Sequence, residues 1–183
     1  MHFIIKREVK HEGNQQYDSL SFVCHDEYGS FVKEDWKRGT AVCFFDKIHL
    51  YNEKKLDRNF RHLHSQYFKD YPRGYGYWIW KSYLISKIML EKMHQGDILV
   101  YLDAGCEIHV SGRKRWEEYK GMLIQHSMLV FVQESQPEIR WTKYDLFAHF
   151  LMADNDLAKY SPQFFWGGTI MKKNDFTMQF VND

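Results

Sequence analysis

An uninterrupted apolar run, Ile98-Leu99-Val100-Tyr101-Leu102, stops abruptly at the carboxylate of Asp103 and continues as Ala104-Gly105-Cys106-Glu107. A run of that length and composition reads as a strand buried on both faces, the kind found in α/β proteins with helices covering the sheet. In open α/β sheets, ligands sit just beyond the carboxyl ends of such strands. An Asp at that point, followed by Ala-Gly, brings a carboxylate and bare backbone up to a ligand. A divalent cation and a diphosphate are held in that way. The plainer alternative is an Asp that closes a turn.

The pattern on either side supports an α/β chain. Ser19 to His25 reads as a first strand, Phe31 to Val42 as a helix and Phe44 to Tyr51 as a second strand. Gly74 and Gly76 break helical structure ahead of a helix whose expected inner face carries Trp78, Ser82, Ile85, Met89 and Met93, with Gly96-Asp97 as its stop. A helix is expected over Arg113–Gln125 and a buried strand over Met128–Gln133. Thr142 is placed to cap a helix, with Asp145 in the reciprocal position of a capping box. Phe164 to Met171 bends into a strand, and Asn174 to Asp183 begins a last helix. Alternating strands and helices predict a single α/β domain over 1–183, with a mostly parallel sheet flanked by helices and right-handed connections. The polar stretch within 1–18 reads as a peripheral arm. The pattern stops inside a helix, as in a C-terminally shortened chain.

Charge excludes some functions. With 25 basic and 24 acidic residues the formal net charge is +1, so no global field favours nucleic acid. Cys24, Cys43 and Cys106 are odd in number and lack a C-x-x-C spacing, which reads as buried thiols in a reducing compartment. No signal peptide or membrane-length apolar run is visible.

Two linked motifs carry a resemblance. Gly74-Tyr75-Gly76-Tyr77-Trp78-Ile79-Trp80-Lys81, followed by Asp97-Ile98-Leu99-Val100-Tyr101-Leu102-Asp103-Ala104-Gly105-Cys106, resembles a group of small bacterial and giant-virus glycosyltransferases of the GT-A fold. Trp141-Thr142-Lys143-Tyr144-Asp145-Leu146-Phe147 adds to the match, which spans roughly Ser21 to Val181. The resemblance implies a nucleotide-sugar donor, Mn²⁺ or Mg²⁺, and transfer of one sugar to a glycan, lipid-linked or protein-linked acceptor in polysaccharide assembly. It implies a cytoplasmic or membrane-peripheral place. Asp103 matches the first acid of the family's Asp-x-Asp metal motif, but Gly105 stands at its third position and Glu107 is the next acid.

Candidate roles follow from charge and position. Asp103 is the expected metal ligand, with Glu107 second. Arg73 and Lys81 are placed for the donor diphosphate, unless they are ordinary solvated charges. Tyr77 and Trp80 are candidates to stack on the donor, and His25, Ala104 and Gly105 to border it. If the reaction inverts, Glu134 or Asp145 is the base, although capping alone explains Asp145. Lys143, Trp166, Gly167 and Gly168 are candidates for the acceptor or sugar pocket. A non-catalytic nucleotide-sugar or glycan-binding remnant is the second reading. A nucleotidyltransferase would need a glycine-rich basic loop after the first strand, where this chain has Cys24-His25-Asp26-Glu27-Tyr28-Gly29.

Overall fold

The computed structural model describes residues 20–25, 45–103, 106 and 110–182, with backbone alone at 20–25 and 110. The expected arm within 1–18 and the helix over 31–42 lie outside the described residues.

The chain is mixed α/β. Its strands are β1 (Leu20–His25), β2 (Lys47–Tyr51), β3 (Ile98–Asp103), β4 (Met128–Pro137) and β5 (Pro162–Lys172). They form one sheet in the order β2-β1-β3-β5-β4. β1 pairs parallel with β2 and β3, whereas β5 pairs antiparallel with β3 and β4. The mostly parallel sheet read from sequence is therefore found in one half, and the β3-β5-β4 half is antiparallel. The reason lies between β4 and β5. Glu138 to Ser161 carries only the short helices α5 (Tyr144–His149) and α6 (Asp156–Tyr160). Helices of that size span roughly 10 Å, too little to return the chain along a strand of roughly 30 Å. β5 therefore runs back beside β4.

The β2–β3 connection holds α1 (Arg58–Leu63), α2 (Ser65–Asp70) and α3 (Trp80–Lys92). After β3 come α4 (Arg113–Gln125), where the sequence predicts it, and finally α7 (Asp175–Asn182).

Alternation along β3 divides the core. Ile98, Val100 and Leu102 pack with Trp116 and Leu123 of α4 and Ile170 of β5. Leu99 and Tyr101 pack on the other face with Leu84, Ile85, Ile88 and Met89 of α3. Full burial of each such side chain contributes about 1.5–3 kcal/mol, so these two layers hold the sheet's centre. Period two then fixes the side of Asp103: it shares a face with Leu99 and Tyr101, toward α3.

Ile85, Met89 and Met93 of the expected inner face are buried, whereas Trp78 and Ser82 are exposed. The helix begins at Trp80, so Trp78 precedes it, and Trp80, Lys81, Leu84 and Ile88 complete the buried stripe in place of Trp78 and Ser82. Lys81 stands where that stripe would hold an apolar residue. α3 is also tied to the segment before α1. The Tyr83 hydroxyl donates to the Asp57 carboxylate, and Lys87 pairs with it at 2.9 Å. Those bonds hold the Asp57 carboxyl below its usual range. Burial and the Asp57 partner push Tyr83 up to about 12.

The expected capping box does not form. Lys143 is the residue ahead of α5, Thr142 donates to Glu138 at 2.5 Å, and Asp145 accepts the Leu146 N–H at 3.1 Å. The chain folds into a short 3-10 turn at Glu138–Arg140 first, and this draws Thr142 away.

Candidate functional site

Asp103 ends β3 at a point where the chain changes direction of travel across the sheet. From β1 the chain moves to β2 on one side, then crosses to β3 on the other. The carboxyl ends of β1 and β3 therefore flank a topological switch point, where α/β sheets bind ligands. His25 and Asp103 are partners in register there. The side chain of His25 lies outside the described residues, as do Ala104, Gly105 and Glu107.

Three groups hold Asp103. Lys81 Nζ pairs with Oδ2 at 2.8 Å. The Tyr101 hydroxyl, two residues back on the same face, donates to Oδ1 at 2.5 Å. Gly167 lies against the carboxylate, since a Cβ there would meet Oδ2 at 3.0 Å and the Phe165 ring at 2.5 Å. Lys81 is pinned in turn, with its Nζ reaching the Trp166 carbonyl at 3.4 Å. It also lies 5.9 Å from the Trp80 ring and 5.5 Å from the Tyr101 ring. The Lys81 side chain is 9% exposed and that of Asp103 39%. The ammonium is thus enclosed and the carboxylate opens to solvent. Cys106 closes the turn after the strand: its N–H donates to the Asp103 carbonyl at 2.9 Å and its Sγ reaches the Gly167 carbonyl at 3.4 Å. Burial, then the nearby Asp103 charge, push this thiol up to about 11, so it is a neutral donor here.

Lys81 is delivered by an unusual turn. Gly74, Tyr75, Gly76, Tyr77 and Trp78 have φ of 58, 49, 77, 48 and 62°. The Tyr77 N–H donates to Arg73 O at 2.9 Å and the Trp78 N–H to Gly74 O at 3.0 Å, closing a turn of left-handed helix. Left-handed backbone costs an L-residue about 1–2 kcal/mol, so Tyr75, Tyr77 and Trp78 together cost roughly 3–6 kcal/mol. Local contacts offset this. Tyr75 stacks on Phe68 at 4.1 Å, the Gly76 N–H donates to Tyr71 O at 2.8 Å, and the Trp80 indole N–H donates to Gly74 O at 3.0 Å. Strain of this kind concentrates at functional sites.

The site residues expected from sequence divide into two groups. Lys81, Asp103, Gly167 and the Trp166 backbone meet at the end of β3. Tyr77 and Lys143 meet at the turn, with Lys143 Nζ 5.1 Å from the Tyr77 ring, and Arg73 lies 5.7 Å over the Trp78 ring. Trp80, expected against the donor, is 1% exposed and supports the turn from beneath. The Trp166 ring packs edge-on to Phe180 of α7 at 6.3 Å. Gly168 pairs in register with Leu102. Glu134 is exposed on β4, beyond the level of Val130, which pairs with Thr169 as Tyr101 does. It therefore stands at the same sheet end as Asp103, two strands or roughly 10 Å across. Asp145 is exposed, and its carboxylate serves its own helix. A groove lined by Phe60, His64, Tyr67, Ser82 and Tyr83 lies on the outer side of α3 and contains none of these residues.

Sequence reading missed Tyr101 and Cys106. Alternation alone places Tyr101 on the face of Asp103, and that was the available signal. Tyr101→Phe removes the donor to Oδ1 and keeps the buried ring. Where Asp103 is a Mn²⁺ ligand, this should weaken binding of a nucleoside diphosphate with Mn²⁺ by about tenfold, as loss of a ligand's supporting hydrogen bond does. Thermal stability should change little; equal affinity in the variant would make the bond incidental.

Among the described residues no group of three or more His, Cys, Asp or Glu is placed to cage a metal. A Mg²⁺ or Mn²⁺ that keeps water in its shell needs one or two carboxylates, and the described residues would offer it Asp103, whose Oδ2 also pairs with Lys81. Asp103 has lone pairs beyond those used by Lys81 and Tyr101 and faces solvent. No family model, curated protein or solved structure matches the chain.

Proposed function

We propose that this chain is a glycosyltransferase that moves a sugar from a nucleotide-sugar donor to a glycan, lipid-linked or protein-linked acceptor in polysaccharide assembly, on a GT-A-like fold. The observation that carries the reading is the Lys81–Asp103 pair, half-open at the switch point and braced by Tyr101 and Gly167. A nucleoside diphosphate leaving group needs positive charge at its phosphates and an anchor for a bridging cation. The pair offers one of each on rigid elements.

In this reading the acceptor oxygen bonds to the anomeric carbon as the bond from that carbon to the diphosphate breaks. The electron pair leaves with the diphosphate, and the acceptor proton goes to a carboxylate, for which Glu134 is the candidate if the reaction inverts. Lys81, fixed by the Trp166 carbonyl and enclosed by two rings, acts from behind Asp103: it holds the carboxylate in place and adds positive charge on the protein side of the departing phosphate. Bound Mn²⁺ or Mg²⁺ would add Lewis-acid stabilisation of the same oxygens, held by Asp103. Gly167 lets the Phe165 ring and the Asp103 carboxylate pack against its backbone, which fixes that carboxylate at the strand end. No helix among the described residues is long and apolar enough to cross a membrane, and the reading places the enzyme in the cytoplasm or at a membrane surface.

The test is incubation of the full chain with a panel of nucleotide sugars and Mn²⁺, with mass spectrometry for released nucleoside diphosphate. The reading expects release from one donor class, increased by an oligosaccharide acceptor and abolished by EDTA. Binding of a nucleotide without release under any acceptor would support the rival reading of a nucleotide-sugar-binding domain. What favours that rival is that, among the described residues, no group of three or more His, Cys, Asp or Glu is placed to hold a metal.

A further inference from the structure

The left-handed turn presents a second set of groups that the Asp103 site does not use. Tyr71, Tyr77 and Trp78 are 40%, 39% and 36% exposed, although the last two sit in costly backbone. Tyr71 and Tyr77 lie against each other at 5.3 Å. Lys143 reaches in from the far side of the sequence, 5.6 Å from the Tyr71 ring and 5.1 Å from the Tyr77 ring. Arg73 covers Trp78. Neither cation has a carboxylate partner among the described residues. The acids next to them in sequence are engaged elsewhere: Asp70 accepts from Gln66 and Asp145 from the Leu146 N–H. Two cations with no carboxylate partner among the described residues, set over half-exposed rings on a backbone held in a strained shape, make a surface for a ligand with a ring face and a negative charge.

We propose that this platform binds an anionic sugar of the acceptor, bearing a carboxylate or a phosphate, with its ring on Tyr71, Tyr77 or Trp78 and its charge on Arg73 and Lys143. The assignment to the acceptor rests on the transferase reading. Lys81 and Asp103 already meet the needs of the donor diphosphate, and the rings beside them are buried, as a water-excluding donor pocket requires. The platform is open instead, which suits a glycan that continues into solvent. A neutral sugar would leave both cations unanswered.

Three tetrasaccharides of one backbone test this by calorimetric titration of the full chain: one uncharged, one carrying a uronic acid and one carrying a hexose 6-phosphate. At least one charged form should bind about tenfold or more tighter than the uncharged one, and the better of the two identifies the anionic group. Its affinity should fall with added salt. The double variant R73A/K143A should abolish that preference, and R73K/K143R, which keeps both charges, should retain most of it. Inclusion of UDP and GDP controls separates donor from acceptor: their affinity should be unchanged in K143A, which keeps Arg73 and should still weaken binding of the charged tetrasaccharide. Equal binding of charged and uncharged forms would overturn the proposal, as would matching losses for nucleotide and oligosaccharide. Asp103→Asn keeps the two readings apart. It should leave tetrasaccharide binding intact, so the platform stands or falls without any transfer being observed.

Discussion

Asp103→Asn should lower metal-dependent release of nucleoside diphosphate by on the order of 100-fold or more, the scale of losing a directed charge contact in a transition state. Asn keeps the size of the side chain and an oxygen for the Tyr101 hydroxyl, but loses the charge that pairs with Lys81 and anchors a cation. The fold should survive, because Asp103 sits at the solvent-facing end of β3 while Ile98 to Leu102 carry the burial. The cost is an ammonium, 9% exposed, left without its carboxylate. That amounts to about 1–3 kcal/mol, or a Tm loss of roughly 2–12 °C in a domain of this size. Steady-state release assays beside a melting curve check both halves. Full turnover in a folded variant would remove Asp103 from the chemistry.

Gly76→Ala should destabilise the chain more than any single change at the turn's surface. The new Cβ would stand 2.6 Å from the Phe68 ring, in a backbone with φ of 77°. Left-handed geometry costs Ala about 1–2 kcal/mol, and overpacking a filled site costs about 1–3 kcal/mol, so the sum is roughly 2–5 kcal/mol. Because 1 kcal/mol moves Tm by roughly 2–4 °C at this size, a fall of about 4–20 °C is expected. Relaxation of the turn would also swing Lys81, two residues beyond Ile79, away from Asp103. The variant should therefore lose donor affinity even below its melting point. Chemical denaturation and nucleotide titration at low temperature measure the two effects. A variant as stable as the parent would show that the turn carries no strain.

The sequence made much of this legible for a simple reason. An apolar run that stops on an acid reads as a buried strand with a solvent-facing end, and β3 has that form, with Ile98 to Leu102 buried and Asp103 half-open. The Arg113–Gln125 helix was equally readable, because Trp116 and Leu123 place its inner face. The left-handed form of Gly74 to Trp78 was not readable. Glycines announce a break but do not say that Tyr75, Tyr77 and Trp78 will follow them into the same region of φ. The inner face of α3 is legible at Ile85, Met89 and Met93, but not at its start, because the helix begins at Trp80 and Trp78 lies in the turn before it. Lys81 reads from sequence as a donor-diphosphate residue or a solvated charge, and its pairing with Asp103 is not legible there, since an ion pair across 22 residues leaves no local signal. The direction of β5 depended on how far short helices could carry the chain, a property of lengths and not of side-chain pattern. Lys143 meets Tyr77 only through tertiary folding.

Titration calorimetry of nucleoside diphosphates into the parent chain and Asp103→Asn, each with Mn²⁺ and with EDTA, tests the central claim most directly. The account predicts that one nucleotide binds the parent, that Mn²⁺ tightens it by about tenfold or more, and that the variant loses the Mn²⁺ increment. Binding of that nucleotide with the same affinity in all four conditions would contradict it, because the strand-end carboxylate would then hold neither cation nor diphosphate.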